Sequence, residues 1–176
     1  MAISDFRSAL NRHGGVQRKF RWRVGLSFPA GAVSSEDTRD ASFLATSATT
    51  PKQTLGELLV PYGGREFPYP GDRQYELISF TFINTQDNFG HNAFELWSQL
   101  FNGDDSNTAA GDISDLLVDW TIELLDQDEN VTKTYTLEDA WPQEVGEIEL
   151  DQASQNEFGT YTVNLRFFKS TTENSR

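Results

Sequence analysis

Three segments of this chain alternate apolar and polar residues with a period of two, and that pattern constrains the fold more than any other feature. In the first, Phe20, Trp22, Val24, Leu26 and Phe28 take one set of positions and Arg21, Arg23 and Ser27 the other. The second sets Leu116, Val118, Trp120, Ile122 and Leu124 against Asp119, Thr121 and Glu123. The third sets Tyr161, Val163, Leu165 and Phe167 against Thr162, Asn164 and Arg166. Successive side chains of a strand point to opposite faces, so each segment reads as a strand with one face in a core and one in water. That is the habit of antiparallel sheet rather than of parallel sheet covered on both sides.

Weaker strands are expected at Leu58–Tyr62, Arg65–Tyr69, Tyr75–Asn84, Val131–Glu138 and Val145–Asp151. Turn compositions stand between them at Tyr62-Gly-Gly-Arg65, Pro70-Gly-Asp72 and Asp126–Asn130. Gly146 interrupts the last strand and suggests a bulge. A short N-terminal helix is expected from Ser4 to His13, with Phe6, Ala9 and Leu10 at helical spacing and Gly14-Gly15 as its stop. One interior helix is expected to begin at Asn92, with Glu95 three residues on. Its stripe of Ala93, Leu96, Trp97, Leu100 and Phe101 would plug the end of a barrel or sandwich. The expectation is a mainly β fold, an antiparallel barrel or sandwich with one packed interior helix and a short N-terminal helix. The length of 176 residues suits a single domain, 1–176, with an N-terminal arm at 1–19 and a long loop at 30–54. A second irregular stretch, Asn102–Ser114, is rich in Gly, Asp, Asn and Ala.

Charge narrows the function. Fourteen basic against 27 acidic residues leave a net charge of −13, which excludes a basic-groove nucleic-acid binder. The distribution is uneven. Residues 1–23 carry six basic groups (Arg7, Arg12, Arg18, Lys19, Arg21, Arg23) against Asp5, a net of +5, whereas residues 103–157 carry 16 acidic groups against Lys133, a net of −15. Either the basic arm is pinned onto its own acidic surface, or it meets the acidic region of another copy in a head-to-tail contact. A hydrophobic content of 37% with no apolar run near the ~20 residues of a membrane helix fits a soluble globular protein with no membrane partner. The first residues lack the basic-then-apolar order of a secretory signal, so folding in a cytoplasm is expected. Zero cysteines fit that compartment and remove thiol chemistry and Cys-ligated metals.

Little else suggests chemistry. The two histidines, His13 and His91, offer too little for a proton relay or a multi-His metal site. Nucleophile-elbow, dinucleotide and phosphate-loop signatures do not occur. Asp126-Gln-Asp128-Glu-Asn130 starts like a calcium loop, but Val131 and Leu137 stand where that loop needs Gly and Glu, so a hairpin turn is the better reading. Asn130-Val-Thr132 matches the glycosylation pattern by chance. The expectation is a protein that is not an enzyme, with no cofactor, no metal and no catalytic residue.

The order of elements resembles the tail tube proteins of contractile-tailed bacteriophages. The likeness is carried by Phe6–Gly15 followed by Gln17-Arg-Lys-Phe20-Arg-Trp-Arg, and by Leu55-Gly-Glu-Leu-Leu-Val-Pro61-Tyr62-Gly-Gly-Arg65 running into Pro70-Gly-Asp72-Arg73-Gln-Tyr75-Glu76. Phe80-Thr-Phe-Ile-Asn84, the helix around Trp97 and the closing Phe158-Gly-Thr-Tyr-Thr-Val163 complete it. Ala41–Thr54 departs from the pattern, with Ser47-Ala-Thr-Thr-Pro51 in place of the usual Leu-Pro-Gly turn. The resemblance implies hexameric rings stacked head to tail, with tail sheath, baseplate and tail terminator proteins as partners. It implies a place in the virion tail after assembly in the host bacterial cytoplasm, and passage of DNA without specific binding. Four strands from each of six subunits, at ~4.8 Å spacing and roughly 40° tilt, give a circumference of about 150 Å, wide enough for a duplex.

Within that picture Arg18, Lys19, Arg21 and Arg23, with loop 30–54, are the expected inter-ring contacts. Asp119, Thr121 and Glu123 point into water, in the channel or on the outside. A lumen that must not hold phosphate favours the channel. A tube protein of a type VI secretion, pyocin or extracellular injection device is the nearest alternative. A carbohydrate-binding β-sandwich using Trp22, Trp120 or Trp141 is a more distant one.

Overall fold

The computed structural model describes residues 3–109 and 111–174; Met1 and Ala2 of the arm, Ala110 of the second irregular stretch, and the last two residues lie outside the described residues. In chain order the elements are α1 (Ile3–Arg12), β1 (Trp22–Gly25), α2 (Ser35–Phe43), β2 (Ala45–Ala48), β3 (Gln53–Tyr62), β4 (Arg65–Tyr75) and β5 (Ile78–Ile83). They continue with α3 (Phe89–Phe101), α4 (Ile113–Leu116), β6 (Val118–Leu125), β7 (Val131–Val145), β8 (Thr160–Arg166) and β9 (Lys169–Asn174).

Strand β7 organises the sheets. Its first half lies between β6 and β9, with Tyr135 opposite Ile122 on one side and Thr172 on the other. Its second half leaves those partners and pairs β8, Pro142 opposite Leu165. The ladder thus runs β1-β6-β7-β8-β5-β2, all antiparallel, with β9 branching from β7. The corner is a bulge. Val118 faces Ala140 while Trp120 faces Leu137, so β7 spends one extra residue there. Asp139 absorbs it with φ 55°, and the Asp119 carboxylate accepts a hydrogen bond from the Asp139 amide at 3.0 Å. Among the described residues the ladder does not close on itself within one chain.

The apolar faces of both sheet halves meet α3. Phe80 and Phe82 of β5, Trp120 and Ile122 of β6, Leu137 of β7, Val163 and Leu165 of β8, and Phe94 and Trp97 of α3 are all buried. Phe28 closes the stack, its ring 5.1 Å from Phe94 and 5.6 Å from Trp97. Each buried indole finds a backbone partner: Trp97 donates to Leu116 O at 2.9 Å and Trp120 to Ser27 O at 2.7 Å. Those bonds cancel the desolvation cost of the two N–H groups and hold irregular segments onto the core. Trp22 and Trp141 pack partly against the core, Trp141 with its ring 6.0 Å from Phe101, so neither forms the open platform that the sandwich alternative needed.

Several sequence expectations need correction. The first strand is shorter than Phe20–Phe28: Phe20 is exposed, β1 pairs only from Trp22 to Gly25, and Leu26 and Phe28 leave the ladder for the core. Segment 30–54 is not one loop, since it holds α2 and β2. Ser34 caps α2 by accepting from the Asp37 amide at 3.2 Å, a Ser-x-x-Asp signal that was present in the sequence. Pro70-Gly-Asp72 is no turn. β4 continues through it with a register shift, Leu55 facing Arg73 and Glu57 facing Pro70, so β4 spends one extra residue there, and Gly56 and Gly71 pass so closely that a Cβ on Gly71 would sit 3.2 Å from the Gly56 carbonyl.

Strand β5 begins at Ile78, not Tyr75, and β7 continues past Glu138 to Val145, so that of the strand expected at Val145–Asp151 only Val145 is in a strand. Gly146 lies just outside β7 and donates to Thr162 O at 2.8 Å. Helix α3 starts a turn before Asn92, after Asn88 in the left-handed region at φ 54°. Phe94 rather than Leu96 fills the core position. β9 was not expected, because Lys-Ser-Thr-Thr-Glu-Asn shows no apolar alternation; the exposed edge of β7 makes it a strand.

Candidate assembly surface

Strands β3 and β4 form a two-stranded sheet of their own. Gly63 and Gly64, at φ 58° and 78°, supply the two left-handed residues that a tight hairpin turn requires. Register puts Leu58 beside Tyr69, Val60 beside Phe67 and Tyr62 beside Arg65, so one face of the hairpin carries five large apolar or aromatic side chains. All five are exposed. At its root, Lys52 pairs with Glu76 at 2.7 Å, and the Tyr75 ring packs tilted against Phe167 at 5.5 Å, which ties the hairpin to the body. A lone two-stranded hairpin is marginal in water, and a contiguous apolar face of this kind marks an interaction surface.

The basic arm is anchored at one point. Gln17 donates to Leu125 O at 3.1 Å, and Arg21 donates to the carbonyls of Asp126 and Gln127 at 2.7 and 2.8 Å. These carbonyls belong to the β6–β7 turn. Asp126 organises it, accepting from the Asp128 and Asn130 amides at 2.8 and 2.9 Å. Hydrogen bonds from Asn130, side chain first, hold the Asp126 carboxyl below the usual carboxylate range, with Arg21 adding to the effect. The Asp126–Asn130 segment is therefore the hairpin turn the sequence suggested.

The residues singled out for ring contacts fall into two groups. Arg21 is engaged with the turn, and Arg23 lies directly opposite Glu123 in the β1–β6 ladder and forms an ion pair with it. Arg18 and Lys19 are exposed, and among the described residues neither has a carboxylate partner. Asp119, Thr121 and Glu123 do share the water-facing side of β6, as alternation requires. Asp119 is also the acceptor at the bulge, a role that sequence reasoning missed. Thr134, Thr136, Glu138, Lys169, Thr171 and Glu173 extend the same face across β7 and β9, and Lys169 pairs with Glu138 at 3.2 Å.

His91 contacts the Gly146 carbonyl at 3.2 Å and Glu95 at 3.4 Å, bracing the start of α3. Burial pushes the Tyr161 hydroxyl well above its ordinary range. Among the described residues no three His, Asp or Glu side chains gather to hold a metal, and no helix is long and apolar enough to cross a membrane.

An open antiparallel ladder, a projecting apolar hairpin and a tethered basic arm define a structural subunit built to associate with other chains. The comparisons make this specific. The phage tail tube protein family model matches residues 16–173, and the chain belongs to that family. It is 47% identical over 174 residues to the tail tube protein of Serratia phage KSP90, covering 99% of this chain and 98% of that one. It is 24% identical over 125 residues to tail tube protein gp19 of Enterobacteria phage T4, covering 70% and 77%. In fold it is similar to a chain in the cryo-EM structure of the anti-feeding prophage tube-terminating cap, with TM-score 0.64, 20% identity, and 91% and 92% of the two chains covered. The protein is a structural component of a phage tail tube.

Proposed function

We propose that the chain assembles into hexameric rings that stack head to tail as the inner tube of a contractile tail, a conduit for DNA ejection. The observation that carries this is the β3–β4 hairpin, whose apolar face is left to water by its own chain and becomes dry when it lies on a neighbouring subunit. Open strand edges support the same reading, because pairing them between subunits removes a liability that a monomer would carry. Tail sheath, baseplate and tail terminator proteins are the partners of such a tube, and assembly occurs in the host cytoplasm before the virion is complete. The whole 176-residue chain works as one unit, and the tube's role involves no catalytic step.

The lumen is assigned to the face bearing Asp119, Thr121 and Glu123. On the stretch of this face made by β1, β6, the first half of β7 and β9, the two cations, Arg23 and Lys169, are already paired with Glu123 and Glu138. Such a wall presents threonines and carboxylates to passing phosphate and no unpaired cation to hold it. Arg18 and Lys19 are assigned to the contact between rings. Negative-stain microscopy of the purified protein should show six-fold rings or hollow rods, and a phage carrying Asp119→Lys with Glu123→Lys should build tails but deliver its genome poorly. Only ~20 kDa particles at tens of micromolar would refute the assembly; normal delivery by the double variant would refute the lumen assignment. The fold shared with the anti-feeding prophage cap favours an injection-device tube as the second reading, which the same microscopy on a tail-bearing particle would separate by its cargo.

A further inference from the structure

Helix α1 is left largely to water. None of its ten residues is buried, yet Ile3, Phe6 and Leu10 lie on one face at i, i+3 and i+7, with Arg7 beside them. Ile3 and Phe6 are exposed. An isolated helix of this length is marginal in water, so its amphipathic stripe needs a second surface to become stable. Gly14 and Gly15, at φ 80° and 91°, separate α1 from the anchored segment at Gln17–Arg21. The helix is therefore a tethered element without a seat.

A matching seat lies at the other end of β7. The segment joining β7 to β8, residues 146–159, lines an open groove together with Asn84–Gln86 and carries Glu147, Glu149, Asp151 and Glu157 but no basic residue. Leu150 and Phe158 are exposed in it. Apolar side chains flanked by carboxylates complement the Ile3, Phe6, Leu10 and Arg7 face of α1. The other acidic cluster, at the β6–β7 turn, is already occupied by the chain's own Gln17 and Arg21.

We propose that α1 of one copy seats in the 146–159 groove of a second copy, stripe inward, with Arg7 against the groove carboxylates. The anchor sits where β7 begins and the groove where it ends, so α1 and its seat are different surfaces, and a head-to-tail contact between them repeats from copy to copy. This rests on the reading of the chain as a self-assembling tube subunit, and it names the segments that meet.

The natural chain has no cysteine, so one engineered pair reports the contact cleanly. Phe6→Cys combined with Leu150→Cys, oxidised with diamide under assembling conditions, should give a ladder of cross-linked multimers on a non-reducing gel, while each single variant does not. Arg7→Glu should raise the protein concentration needed for assembly roughly tenfold, and adding Glu149→Arg should restore it. Rings or tubes seen by microscopy without the ladder, or a disulfide formed only within one chain, would overturn this inference and leave the tube reading standing. Failure of the unsubstituted protein to assemble at all would overturn both.

Discussion

Replacing Phe67 by alanine separates assembly energy from folding energy. Phe67 is 62% exposed in the single chain, and its contacts are with the hairpin's own partner strand, where Val60 lies opposite. An aromatic side chain of ~200 Å² leaves roughly 120 Å² in water at that exposure, worth about 3 kcal/mol at ~25 cal/mol per Å² once a neighbour covers it. Alanine keeps a minor part, so each subunit contact loses about 2 kcal/mol, or roughly 30-fold in dissociation constant. Within the monomer only a cross-strand pair is weakened, about 0.2–1 kcal/mol, which lowers the Tm by less than about 4 °C. Sedimentation velocity over a dilution series should show the half-assembly concentration rising roughly 30-fold, with a nearly unchanged melting curve under dissociating conditions. An unchanged assembly midpoint would remove the hairpin face from the interface. A melting point lowered by ten degrees or more would show that Phe67 belongs to the subunit's own core.

Trp97→Phe should cost about 2–4 kcal/mol in chemical denaturation, because it opens space beside Phe28 and Phe94 and leaves the Leu116 carbonyl without its indole donor. Gly146→Ala should destabilise by about 1–3 kcal/mol, since its Cβ would lie 2.5 Å from the Thr162 carbonyl oxygen, which is backbone in β8 and cannot swing aside. Asp126 has a folded pKa below its unfolded value of about 3.9, so its stabilisation is present above about pH 4 and is lost as pH falls through the folded value. Melting curves of Asp126→Ala should accordingly lie below those of the parent at pH 6 and converge with them at the most acidic end; a constant gap down to pH 2 would refute the titration. Arg18→Glu with Lys19→Glu should shorten tubes while single rings persist in micrographs, and unchanged tube length would remove both residues from the ring-to-ring contact.

The sequence by itself settled what depends on local periodicity. Trp120 and Ile122 lie buried on one side of β6 and Asp119, Thr121 and Glu123 on the other because a strand's alternation is independent of its partners. The same holds for β8 and the Gly63-Gly64 turn, and on α3 for Ala93 and Trp97, whereas Leu96 of the expected stripe is exposed. The apolar stripe and basic charge of the arm were equally plain.

What depends on pairing was decided by the tertiary structure. β9 has no strand pattern and becomes one because the β7 edge offers it a ladder; Phe20 has the pattern and stays out because no partner extends that far. Pro70-Gly-Asp72 carries turn residues yet stays within β4 as a bulge, where Gly56 and Gly71 let two backbones pass closely. Arg23 and Glu123, a hundred residues apart, were assigned to different surfaces and meet as an ion pair, because only the β1–β6 register brings them side by side. Side-chain alternation is a property of each residue and its neighbours in the chain, whereas register and edge pairing are set by which backbone groups find one another across space.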